Sequence, residues 1–243
     1  MSNIVTDKII PDESSADKLT IGGTGDSVVV LDSLNLNQLQ DAGGNNIFVS
    51  NGSGTITSKN SGLSGGMNLI STQTASGASS VSFTSGLDST YDVYIFKFIG
   101  IHAEHADDGK FSFQVNASGQ SGYNETITST YFLAEHSEAG SSDFQYVASA
   151  DQAQGTGIQR LMQSMGNGSD ESGAGTLWLF NPSSTTYVKH WYSRCQDYNS
   201  GDKSEDCFAA GYINTTSAID EIQFSMSSGN LTGTIKMYGI SKS

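Results

Sequence analysis

"YDVYIFKFIGI", residues 91–101, decides the class of fold. Val93, Ile95 and Lys97 alternate with Tyr94, Phe96 and Phe98, the period of two that sends successive side chains to opposite faces of a strand. Apolar groups on both faces mark a central strand, or one with a contact on each side. Next comes "HAEHADDGKFSFQVNA", residues 102–117, a polar run followed by Phe111, Phe113 and Val115 in renewed alternation. Asp108-Gly109 is a turn pair, so the run reads as a loop between two strands.

The same pattern fills the chain on both sides. "MNLISTQTA" (67–75), "SVSFTS" (80–85), "ETITSTYFLAEH" (125–136), "FQYVAS" (144–149) and "GTLWLFN" (175–181) each read as a strand. So do "TYVKHWYSR" (186–194), "CFAAGYIN" (207–214), "IDEIQFSMS" (219–227) and "GTIKMYGI" (233–240). About ten strands separated by turn signals predict an antiparallel sandwich of jelly-roll type. Trp178 and Phe180, alternating with leucines, are expected in its core. Only "DQAQGTGIQRLMQSMGNG" (151–168) breaks the pattern, with room for a short helix around Gln159–Ser164 or for a strand. Composition agrees, with 28 glycines, 2 prolines and no long run of helix formers.

Residues 1–64 are different. Phe48 is their one aromatic, and apolar bursts such as "DSVVVLDSLNLNQLQ" (26–40) alternate with the corners "GGTGD", "DAGGNN" and "SNGSG". Strands that short bury no face alone, so this part is expected to be β-rich and dependent on stacking or on other copies of the chain. "SKNSGLSGG" (58–66) is the joint, giving a leader at 1–64 and a β-sandwich domain at 65–243.

Charge narrows the partners. Lys and Arg number 11 against 25 Asp and Glu, a net charge of -14. With no basic stripe to neutralise phosphates, nucleic acid is not an expected partner. An anionic membrane surface is no better. The start shows no basic and apolar signal pattern, and no run is long enough to span a bilayer, so synthesis in a cytoplasm without membrane insertion is expected.

Candidate sites are few. His102, His105, Asp107 and Asp108 lie in the polar run, but two histidines three apart in a hairpin loop do not make a zinc set, and HExxH is absent. A solvated recognition tip is the simpler reading. Adjacent acids such as Glu205/Asp206 point to opposite faces of a strand and make poor catalytic pairs. Lys189, Trp191 and Arg194 offer a stacking and hydrogen-bonding set for a sugar ring or a subunit contact, against core packing for the aromatics. Cys195 and Cys207 flank a polar loop that they could close as a disulfide, or they are separate thiols on adjacent strands. No catalytic, metal or cofactor set emerges.

The leader "MSNIVTDKII…DKLTIGGTGDSVVVLDSLNLNQLQDAGGNNIFVSNGSGTITS", the run "MNLISTQTASGASSVSFTSGLDSTYDVYIFKFIGI", the middle phrases "YFLAEHSEAG" and "DQAQG" and the close "GTIKMYGI" resemble virion structural and tail fibre-like proteins of marine and cyanobacterial tailed phages. The resemblance covers nearly the whole chain. It implies a non-enzymatic virion protein, made in the host cytoplasm, often trimeric, that docks on other virion proteins through its N-terminal part. It implies an outward β domain, with host-surface glycan contact expected at loops 102–109, 136–143 and 196–206. A head decoration or neck protein is the nearest alternative, and a polysaccharide-degrading tailspike the enzymatic one.

Overall fold

The computed structural model describes residues 38–40, 44–53, 55–59, 66–105 and 107–241. The chain divides into two units, with the boundary after Asn60. The expectation for strands in residues 1–37 lies outside the described residues.

In the first unit β1 (Gln38–Gln40), β2 (Asn46–Ser50) and β3 (Ile56–Lys59) form an antiparallel sheet in that order. Gln40 Nε2 donates to the Gly44 carbonyl at 2.9 Å and to Asn46 Oδ1 at 3.0 Å, tightening the first turn. None of the side chains described in this unit is buried; Phe48 and Val49 are half-covered, and Leu39 and Ile56 are exposed.

The second unit is all β, with a large and a small antiparallel sheet. Across the large sheet run β10 (Ala153–Gly155), β8 (Ile127–Ser137), β14 (Lys203–Ile213), β13 (Lys189–Asn199), β12 (Gly173–Phe180), β6 (Val93–Glu104), β16 (Asn230–Ile240) and β4 (Met67–Ala78). A ninth strand, β9 (Ser142–Tyr146), shares the outer edge of β8 with β10. The small sheet is β11 (Gln159–Arg160), β7 (Phe111–Ala117), β15 (Ile219–Met226) and β5 (Ser80–Phe83).

One face of the large sheet packs on the small one through aromatic rings. Phe224 of β15 lies 5.4 Å from Phe96 and 5.3 Å from Phe98 of β6, and Phe98 lies 5.0 Å from Phe111 of β7. Phe113 meets Trp191 of β13 edge-on at 5.0 Å. These offset and edge-to-face arrangements suit the ring quadrupoles. The alternation in residues 91–101 thus marks the core strand β6, on which Tyr94, Ile95, Phe96 and Phe98 are all buried. At Gly100, whose φ of 56° most side chains avoid, the strand carries an irregular register against both neighbours. The inward phase then switches from Phe96 and Phe98 to Ile101 and Ala103.

One expectation changes, and one left open is decided. On β12 it is Leu177 and Leu179 that are buried, while Trp178 and Phe180 lie half-covered on the outer face, stacked on Tyr192 at 5.8 and 5.7 Å. Both faces of that strand are apolar, so alternation alone does not say which is inward. The break at 151–168 holds no helix: β11 pairs with β7, and Leu161, Met162 and Met165 turn inward to join the core.

Candidate functional site

Strand register gathers the polar loops at one end of the large sheet. Gly173 pairs with both Ile101 and Asp197, Asn199 with Lys203, and Lys203 with Ser137. The segments 102–109, 136–143 and 196–206 therefore all leave the sheet at this end. Between two of them opens a cleft of about 480 Å³, lined by His136, Glu138, Asp170, Gln196, Tyr198 and Asp202 among others. The Tyr198 hydroxyl lies 3.3 Å from both Glu138 Oε1 and Asp202 Oδ1. Desolvation and the two carboxylates push it up to about 12, so it stays protonated and acts as a donor.

The residues of the 102–109 loop do not converge on a ligand. His102 donates from Nδ1 to the Glu171 carbonyl at 2.7 Å, which fixes its ring against the neighbouring loop. His105, with φ 65°, is exposed, as is Asp107. Asp108 also has positive φ (66°); it pairs with Lys110 Nζ at 2.7 Å and accepts from the Ser164 hydroxyl. Partial burial opposes its ionisation, but these two partners outweigh it and hold its carboxyl below the ordinary value.

Lys189, Trp191 and Arg194 do not form one set. Lys189 and Trp191 occupy inward positions of β13 and are buried, so neither stacks a sugar on the outside of this unit. Lys189 Nζ donates to the carbonyls of Tyr187 and Thr215 at 3.2 and 3.1 Å, and burial depresses its pKa. Arg194 alone is outward, bidentate to Asp206 at 3.1 and 2.7 Å and lying over the Phe208 ring at 4.9 Å.

Beneath the loop end lies a polar cluster inside the core. Inward positions of β13 carry Cys195, Asp197 and Asn199; those of β14 carry Glu205 and Cys207. The register sets Asp197 opposite Glu205 and Cys195 opposite Cys207, and both thiols are free. Asp197 accepts from the Ser164 amide at 3.4 Å and from Cys207 Sγ at 3.6 Å; Asn199 Nδ2 donates to Glu205 Oε1 at 2.8 Å. Burial pushes both carboxyls up, and in Glu205 the charge of Asp197 adds to it. Burial likewise raises both thiols. Donor atoms of Asp197, Glu205 and Cys207 lie within 4.8 Å of one another, and this is the one such group among the described residues.

Composition and motif spacing passed over this cluster, yet its signal is in the sequence. Cys195 and Asp197 before the "NSGD" turn, and Glu205 and Cys207 after it, are equidistant from Gly201. Residues placed so in a hairpin face one another. Comparison with protein-family models, with curated proteins and with solved structures finds no match.

Proposed function

We propose that the chain is a non-enzymatic structural protein of a tailed-phage virion, a short tail fibre or fibre-like tail protein. In this reading the second unit is a β-sandwich of jelly-roll character whose loop end contacts the host surface. The observation that carries the binding role is the convergence of the loops 102–109, 136–143 and 196–206 at one end of a single sheet, with an open cleft between two of them into which polar residues face. Rigid strands holding polar loops are a recurrent scaffold for recognition. His136, Gln196 and the protonated Tyr198 present hydrogen-bonding groups suited to a hydroxyl-rich glycan. Weak sites repeated on a trimer gain avidity without any strong single contact.

For residues 1–64 the proposed roles are trimerisation and attachment to other virion proteins. The shallow burial of the described residues of the first unit supports a need for further cover. A head decoration or neck protein is the second reading, favoured by the outward aromatic row of Trp178, Phe180 and Tyr192, which suits contact with a neighbouring subunit.

Binding of the full chain to host-surface polysaccharide, compared with Tyr198→Ala and His136→Ala, tests the favoured reading. Loss of binding at unchanged thermal stability supports it. Absence of binding, together with a particle map placing the chain on the head shell, overturns it in favour of decoration. Turnover of the polysaccharide, lost on replacing one acid of the cleft, would establish a tailspike instead.

A further inference from the structure

We propose that Asp197, Glu205 and Cys207 form a binding site for a divalent cation of the zinc class, buried under the loop end of the large sheet. Three observations carry it. The first is the donor set: two carboxylates and a thiol on adjacent strands, with all their ligating atoms within 4.8 Å of one another. In a tetrahedral zinc site with oxygen ligands near 2.0 Å and sulfur near 2.3 Å, neighbouring donors stand roughly 3.3–3.5 Å apart. The Cys207 Sγ to Asp197 Oδ1 separation of 3.6 Å is already close to that.

The second is unsatisfied polarity at the same place. Glu205 is only 2% exposed, and its Oε2 has no hydrogen-bond partner outside the cluster, where it faces the Asp197 carboxyl alone. Independently, the Tyr131 hydroxyl of β8 is fully buried, finds no oxygen or nitrogen partner, and is directed at the Cys207 thiol of the same cluster. Leaving a buried oxygen without a partner is costly, and both of these atoms adjoin members of the same cluster. A bound cation accepts lone pairs from both.

The third is charge. Lys203, the basic residue nearest in sequence, is committed to Glu135 at 2.8 Å, and Arg194 is turned outward to Asp206. Neither reaches in to hold the two carboxylates. A divalent cation replaces the Cys207 thiol proton and any proton on the carboxyls; these leave to solvent, and the ion then faces three anionic ligands. The mixed oxygen and sulfur set favours zinc-like ions over calcium or magnesium, which take oxygen ligands. This site does not depend on the virion reading. Its effect is to pin the hairpin of β13 and β14 from inside.

The experiment uses the chelator-treated full chain, titrated with Co²⁺ in the native state and also refolded in its presence. The expected result is a near-ultraviolet thiolate-to-cobalt absorption band, bleached by Zn²⁺, and a higher unfolding midpoint with either ion. Cys207→Ser should abolish the band, Glu205→Gln should weaken Co²⁺ binding at least about tenfold, and His105→Ala, on the exposed loop, should leave both unchanged. Absence of the band in the unsubstituted chain at millimolar Co²⁺, or its persistence in Cys207→Ser, overturns the proposal. Should Cys207→Ser fail to fold, Glu205→Gln decides, because it keeps the thiol: unchanged affinity there overturns the site as well.

Discussion

Asp197 and Glu205 face each other directly across the β13–β14 hairpin, and neither has meaningful contact with water. Two acids in that position resist ionising together. The pKa of Glu205 rises from 4.5 to about 8, chiefly through burial. A folded-state pKa above the unfolded one means that the unfolded chain holds fewer protons through that range, so stability falls with rising pH. In chelator-treated protein, denaturant midpoints are therefore expected to be higher near pH 5 and to decline through about pH 8. Glu205→Gln, which cannot ionise, should flatten this slope. A wild-type slope of the opposite sign would show that the pair is not the controlling group.

Cys195 and Cys207 are register partners with free, buried thiols. Opposed residues of an antiparallel pair have Cα atoms roughly 4.5–5.5 Å apart, within the span of a disulfide. Burial also suppresses the thiolate needed for reaction. Ellman's reagent should accordingly find almost no thiol in the folded chain and two per chain in denaturant. Zero in denaturant would mean that the pair had been oxidised, the alternative that the flanked polar loop suggests from the sequence.

Phe224 is the hub of the aromatic core, with Phe83, Phe96, Phe98 and Phe111 all in ring contact. Phe224→Ala should cost about 3–5 kcal/mol, read as a lower guanidinium midpoint at constant slope. Phe144, mostly exposed on the edge strand β9, serves as the contrast, and its replacement by alanine should cost at most about 1 kcal/mol.

A Cβ on Gly211 of β14 would run into the Thr128 carbonyl oxygen and sit 2.9 Å from Ser129 Cα. The obstacle is the backbone of β8, which cannot swing aside as a long side chain can. Gly211→Ala should destabilise by about 1–3 kcal/mol, measured by thermal or denaturant unfolding.

Much of the strand order was beyond reading from the chain, but the strands themselves were not. Residues 91–101 showed β6 because its alternation runs unbroken as far as Phe98. Trp178 and Phe180 went to the wrong face because leucine and tryptophan are equally able to fill a core, and only the opposing sheet decides. Trp191 reads from the sequence as core packing or as a surface set with Lys189 and Arg194, and it packs in the core; Lys189 is buried beside it because two backbone carbonyls hold its ammonium group. The sequence marks the loops one by one, whereas their convergence depends on long-range register. The buried cluster, by contrast, was written in the hairpin's mirror spacing about Gly201.

Asn68 Nδ2 donates to Ser241 Oγ at 2.8 Å across 173 residues of chain, because β4, which opens the second unit, pairs with β16, which closes it. β16 also lies between β4 and β6, so neither of those strands has its shared neighbour until β16 has been made. A chain emerging from the ribosome must therefore carry the aromatic strand β6 with one side unpaired through most of its synthesis. That long wait favours slow, late closure of the sheet and gives chaperones, or a neighbouring copy of the chain, time to occupy the gap.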